Sequence, residues 1–214
     1  MTDIIALATE KLLAVRHGAP RIPDLGAAAP VEEAQAWAIQ RAVLAGLGGT
    51  IGGWKCAAPP GKPTSGAMLD ARGVIASPAR WAVPAGEKIG IETEIAFRLA
   101  RDLPPRDLPY TREEVLDAIA GCCPAVELVA SRYVDPGAVP LFSAMADSVA
   151  HAALVVGGDV PGWRGLDLAD LVVKVGELMA DEAAGVVSID LNPVLLNDAG
   201  QGGVVVDAVV FRKG

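Results

Sequence analysis

Ile91-Glu92-Thr93-Glu94-Ile95-Ala96-Phe97 alternates carboxylates with apolar and β-branched side chains. Alternation at period two marks a strand, whose successive side chains point to opposite faces. Glu92 and Glu94 therefore share one face, and Ile91, Thr93 and Ile95 are expected to point the other way, toward a core. Two like charges one pleat apart repel each other. A chain tolerates them where the face is wet or where a cation sits between the carboxylates. Any fold for this chain must give that strand one apolar-packed face and one hydrated or cation-holding face.

A third carboxylate poses the same problem. Ala125-Val126-Glu127-Leu128-Val129 reads as an apolar strand with an acid in its middle. Glutamate is almost never fully buried unless paired, so Glu127 stands either on a wet face or as a ligand. Lys55, in Ile51-Gly52-Gly53-Trp54-Lys55-Cys56, ends a short glycine-containing strand where another backbone comes close. The stretch lacks the Gly-Lys-Ser/Thr of a phosphate loop, and a lone lysine is by default a surface charge.

The whole composition narrows the partners. With 214 residues, 52% hydrophobic and 21% charged, the chain can bury the core of one ordinary domain or two small ones. A formal net charge of −8 argues against nucleic acid and against an anionic membrane surface. No apolar run approaches the roughly 18 residues of a membrane-spanning helix. Met1-Thr2-Asp3 lacks the basic start of a signal peptide, so a cytoplasmic location is expected. Cys56, Cys122 and Cys123 form no disulfide framework. The adjacent pair lacks metal-ligand spacing and reads as two small residues closing a helix.

In order, the pattern predicts a helix over 3–16 capped by Asp3, a Pro/Gly/Ala loop over 18–30, and a helix over about 31–46. The strand at 51–56, a Pro/Gly loop at 57–66, and short strands at 68–70 and 73–75 follow. Thr111 and Glu114 form a capping box opening a helix through about Gly121. Pro124 separates it from the Glu127 strand, and Leu154–Gly158 reads as a strand and turn. Asp167 can cap a helix from about Leu168 to Met179. Val186–Leu191, a turn over Asn197–Gly203 and Val204–Val210 read as strand, turn, strand.

Residues 1–168 resemble the fumarylacetoacetate hydrolase superfamily, in its 2-keto-4-pentenoate hydratase and 4-oxalocrotonate decarboxylase branch. The motifs that carry the resemblance occur in the family's order: Ile51–Lys55, Ile91–Phe97 followed by Asp102-Leu103-Pro104, Pro124–Tyr133, and Ala146-Asp147-Ser148. The resemblance implies an α+β fold, with N-terminal helices packed on a mixed β-roll. It implies that Glu92, Glu94 and Glu127 hold Mg²⁺ or Mn²⁺, and carboxylate oxygens independently suit such hard cations. It gives Lys55 and Asp70 catalytic roles and makes Arg132 and Asp147 supporting residues. The substrate it implies is a small-molecule 2-oxo acid, hydrated as a 2-hydroxydienoate in aromatic catabolism, or decarboxylated. Hydrolase members use a histidine–glutamate pair. His17 and His151 have no spaced partner and read as surface or satisfied core residues, which favours hydratase or decarboxylase.

The family's later motifs are absent, so the β-roll reads as truncated. From about Asp170 the chain resembles the end of an ATP-grasp acyl-CoA synthetase (NDP-forming) subunit, carried by Leu171-Val172-Val173, Ser188–Leu195 and Val206-Asp207-Ala208. By that resemblance Asn192 and Asp207 belong to a Mg²⁺–nucleotide site, although the rest of an ATP-binding fold is missing. The expected division is 1–168, hydratase-like, and 169–214, an ATP-grasp-like tail contributing a helix and a β-hairpin. A shortened β-roll leaves strand edges that the tail must cover or that a homo-oligomer must bury. The alternatives are a non-catalytic remnant or interaction protein, and an acyl-CoA synthetase fragment.

Overall fold

The computed structural model describes residues 3–57, 63–83, 89–163, 186–191, 194–196, 203–205 and 207–212. The architecture is α+β. The chain divides into two compact units. One comprises Met1–Ile75, Ala79–Gly90 and Glu127–Val155, and the other Ala76–Pro78, Ile91–Val126 and Val156–Gly214.

The first unit holds helices α1 (Ile4–Arg16), α2 (Glu33–Gly46) and α4 (Leu141–Ala146), with strands β1 (Ile51–Ala57) and β2 (Ser65–Asp70). Asp3 caps α1 as its sequence position predicts, accepting from the Ile5 and Ala6 amides at 3.0 and 3.3 Å. Ala8 and Leu12, one helical turn apart, face a core shared with Leu25, Ile39, Val43 and Tyr133. The loop over 18–30 is tied down there: Ile22 bridges to Tyr133, and Gly26–Ala28 forms a 3₁₀ turn.

Gln40 interrupts the apolar face of α2 and is buried. Its side-chain nitrogen donates to the Gly66 and Met145 carbonyls at 3.0 and 2.6 Å, and its oxygen accepts from the Met68 amide at 2.9 Å. One amide thus joins α2, β2 and the end of α4. Strands β1 and β2 pair antiparallel, with Lys55 opposite Ala67 and Ile51 opposite Asp70. The glycines of β1 answer a close approach, since a Cβ on Gly52 would fall 2.4 Å from the Ala71 Cα. After β3 (Val74–Ala76), β6 (His151–Val156) lies next to β3 and to the end of β5 (Ile119–Val129).

In the second unit the strand order is β5, β4 (Gly90–Leu99), β10 (Asp207–Arg212), β7 (Val186–Leu191). Between β4 and β5, α3 spans Arg112–Ala118 and carries the predicted capping box. Thr111 Oγ1 accepts from the Glu114 amide at 3.2 Å, and Glu114 returns the bond to the Thr111 amide at 2.7 Å.

Several expectations need correction. α3 stops at Ala118, not Gly121, because β5 begins at Ile119 and runs through Pro124. The Ala100 amide donates to the Ala118 carbonyl at 2.7 Å, so pairing with the neighbouring strand ends the helix early. Cys122 and Cys123 are therefore buried strand residues and do not close a helix. Helix α4 follows Pro140 without a sequence pattern that announced it. Ile91 is 58% exposed, so the apolar face of β4 is only partly covered.

The predicted strand Val186–Leu191 is β7. The expected single strand Val204–Val210 divides into β9 (Gly203–Val205), paired with β8 (Val194–Leu196), and β10, paired with β7 and β4. Different partners for its two halves break the strand. The predicted helix Leu168–Met179 and Asn192 lie outside the described residues, as does most of the Asn197–Gly203 turn.

Candidate active site

Lys55 faces inward from β1 while its neighbour Trp54 is 59% exposed, as strand alternation requires. Its ammonium meets Glu127 from β5. Lys55 Nζ lies 2.7 Å from both Glu127 oxygens and donates to the Val149 carbonyl at 3.3 Å. The Glu127 side chain is 1% exposed and that of Lys55 18%. His151, at the start of β6, places Nδ1 2.7 Å from Glu127 Oε1. A buried carboxylate is costly unless paired and hydrogen-bonded, and here a cation and an imidazole both serve it.

The sequence showed no partner for His151. It is buried on Glu127, so a histidine–glutamate pair exists here after all. Spacing could not reveal it, since the two residues stand 24 apart on different strands. The one available signal was Glu127 itself, which demands partners wherever it is buried.

Ser148, Val149 and Ala150 have φ of 54°, 49° and 61°, three consecutive non-glycine residues in the left-handed region. Each costs roughly 1–2 kcal/mol relative to right-handed backbone. Such conformations persist only where the surroundings hold them. Arg132 and Asp147, the two predicted supporting residues, do the holding. The Arg132 guanidinium donates to the Asp147 carbonyl at 2.5 Å and the His151 carbonyl at 3.1 Å, the two ends of the turn. Its Nε bonds the Asp147 carboxylate, which also accepts from the Arg132 amide at 3.0 Å and Ser131 Oγ at 3.1 Å. The turn aims the Val149 carbonyl at Lys55 and sets His151 on Glu127.

Asp70 is placed elsewhere. It stands opposite Ile51, away from the Lys55 end of the β1–β2 ladder, and its carboxylate accepts from Arg72 Nε at 3.1 Å. That bond is the main cause holding its pKa below the ordinary carboxylate range. In the second unit Glu92 and Glu94 are half-buried on one face of β4. Asp207 pairs with Glu94 in the β10–β4 register. Of the three carboxylates that the sequence groups, Glu92 and Glu94 belong to the second unit and Glu127 to the first.

The first unit also contains a cleft of about 1030 Å³, lined by Arg16, Val43, Met68, Trp81, Ser148 and His151 among others. Arg16 is largely buried in it. Desolvation, and then the nearby Arg132 charge, lower its pKa to about 10, against the raising effect of Asp147 and Asp70.

No family model matches the chain. The fold is that of a class of solved α+β enzymes. It is similar to 4-oxalocrotonate decarboxylase from Pseudomonas putida G7 complexed with calcium and acetate, with a TM-score of 0.63 and 21% identity over 77% of this chain and 65% of that one. The same enzyme complexed with magnesium and adipate gives a TM-score of 0.60 and 18% identity over 77% and 66%. The chain thus spans just under two thirds of that enzyme's length. The shared fold is the one the sequence resemblance implies.

Proposed function

We propose that this chain is a divalent-metal-dependent lyase acting on small 2-oxo acids. The first reading is a hydratase of a 2-hydroxydienoate through its 2-oxo tautomer. Glu92, Glu94 and Glu127 would hold Mg²⁺ or Mn²⁺. The donor set fits such an ion, being all carboxylate oxygen. A carboxylate offers about four lone-pair sites, more than the Lys55 and His151 contacts of Glu127 use. Charge also fits, because a dication and the Lys55 ammonium together neutralise three carboxylates. When bound, the ion supplies Lewis acidity toward a carboxylate and its 2-oxo group.

The observation that carries the reading is Lys55 on buried Glu127. Glu127 aims the Lys55 ammonium, and that ammonium can stabilise negative charge developing on the substrate's 2-oxygen. Arg132 and Asp147 position both groups through the left-handed turn. Decarboxylation of a 2-oxo diacid is the second reading, supported by the fold shared with 4-oxalocrotonate decarboxylase.

The test is loss of dienoate absorbance with Mg²⁺ or Mn²⁺, and in parallel CO₂ release from a 2-oxo diacid. Glu92→Ala, Glu127→Ala and Lys55→Met should each abolish turnover. If the wild type turns over neither substrate and gains no thermal stability from metal, the remnant reading replaces the enzyme.

A further inference from the structure

Among the described residues, four arginines line the cleft of the first unit, Arg16, Arg21, Arg72 and Arg132, against one acid, Asp70. The chain as a whole carries a formal charge of −8, so this lining runs against the molecule's own sign. Asp70 serves Arg72, and buried Asp147 serves Arg132. Arg16 has no acid to itself. Its Nη2 stands 3.7 Å from the Asp147 carboxylate that Arg132 already uses. A cleft lined by one sign of charge, with low-dielectric walls, concentrates ions of the other sign.

Arg16 and Arg132 are largely enclosed and act through that field. The guanidinium groups that can touch a ligand are those of Arg72 and Arg21. The Arg72 side chain is 58% exposed. Among the described residues, its bonds to Asp70 and to the Leu47 carbonyl engage Nε and one hydrogen on each Nη, of the five donors a guanidinium carries. Arg21 is exposed on the loop over 18–30. The apolar part of the lining selects the rest of the ligand. Trp81 and Val83 are each 44% exposed, and both face this cleft. An indole gains more from another ring, in offset or edge contact, than from an aliphatic group of equal area. At about 1030 Å³ the cleft has room for such a ring.

We infer that this cleft binds a small arene carboxylate, its carboxylate on Arg72 and Arg21 and its ring on Trp81. All three residues belong to the first unit. The proposed lyase chemistry uses none of them, so the site rests neither on that reading nor on a metal.

Calorimetric titration with benzoate, phenylacetate and 2-naphthoate tests it, in EDTA so that no carboxylate is held through a metal. Each acid is run beside its neutral amide and its ring-saturated acid. At least one arene carboxylate should bind at millimolar concentration or below, at least about tenfold tighter than its amide and several-fold tighter than its saturated acid. Arg72→Gln should weaken that binding roughly tenfold, a charge-assisted hydrogen bond's share, and Trp81→Leu several-fold. No binding of any arene carboxylate to the wild type overturns the proposal. So does an amide or saturated acid that binds equally well. Unchanged binding in Trp81→Leu also overturns it, because the ring then sits elsewhere. The wild-type comparisons decide the question even if a variant fails to fold.

Discussion

Lys55 Nζ sits 2.7 Å from each oxygen of a glutamate 72 residues further along the chain. Glu127 is buried to 1% side-chain exposure, so this pair depends on its mutual neutralisation. Removing one partner of a buried pair leaves an uncompensated charge and costs roughly 3–5 kcal/mol. Glu127→Gln should therefore lower urea stability by about 3 kcal/mol, toward the low end because Lys55 retains some solvent. The double variant Lys55→Met/Glu127→Gln should recover part of that loss. Strict additivity of the two changes would show that the pair is not coupled.

Gln40 makes a similar demand without charge. Gln40→Leu keeps the volume but strands the Met68 amide and the Gly66 and Met145 carbonyls inside the first unit. At roughly 1–3 kcal/mol for each unsatisfied buried group, a loss of about 3 kcal/mol is expected in denaturant melts. A change below about 1 kcal/mol would mean that water replaces the amide.

The left-handed turn gives a prediction of opposite sign. Ala150 holds φ of 61°. Ala150→Gly removes a steric cost of roughly 1–2 kcal/mol and adds an unfolded-state entropy cost of roughly 0.5–1 kcal/mol. The variant should be more stable by up to about 1.5 kcal/mol, seen as a higher melting temperature. If the turn is also required for function, the same variant should lose activity as its clamp loosens.

Acid should expose the capping box. Hydrogen bonds from Arg106, and then from the Thr111 amide, lower the Glu114 pKa from 4.5 to about 2. A depressed folded-state value means stabilisation that is complete above 4.5 and lost as pH falls toward 2. Thermal melts from pH 6 downward should decline over that window. In Glu114→Gln the decline should be shallower, since the titrating group is gone.

Metal should act on the protein as well as on turnover. A cation that binds only the folded state raises its melting temperature with concentration. Mg²⁺ or Mn²⁺ should do so for the wild type and not for Glu92→Ala or Glu94→Ala, read by calorimetry.

Much of the fold was legible because its signals are local. Asp3 and the Thr111–Glu114 box each act within a few residues, and each stands where the sequence predicts. The helix through Gly121 was misread for the opposite reason. Ile119–Cys123 has no strong preference of its own, and pairing with β4 decided its state. Helix α4 likewise owes its place to contacts with α2 and β2.

The candidate site divides in the same way. By itself the sequence determined that Glu92 and Glu94 share a strand face and that Glu127 needs partners, since alternation and the cost of a buried charge are properties of the chain. Only the tertiary structure decided who those partners are. It brought Lys55 from β1 and His151 from β6 to one carboxylate, and it sent Asp70 to Arg72. It also bent Ser148–Ala150 into a conformation that no local preference favours, held at both ends by Arg132. Electrostatic pairing acts through space, and residues that meet across strands leave no spacing in the sequence to read.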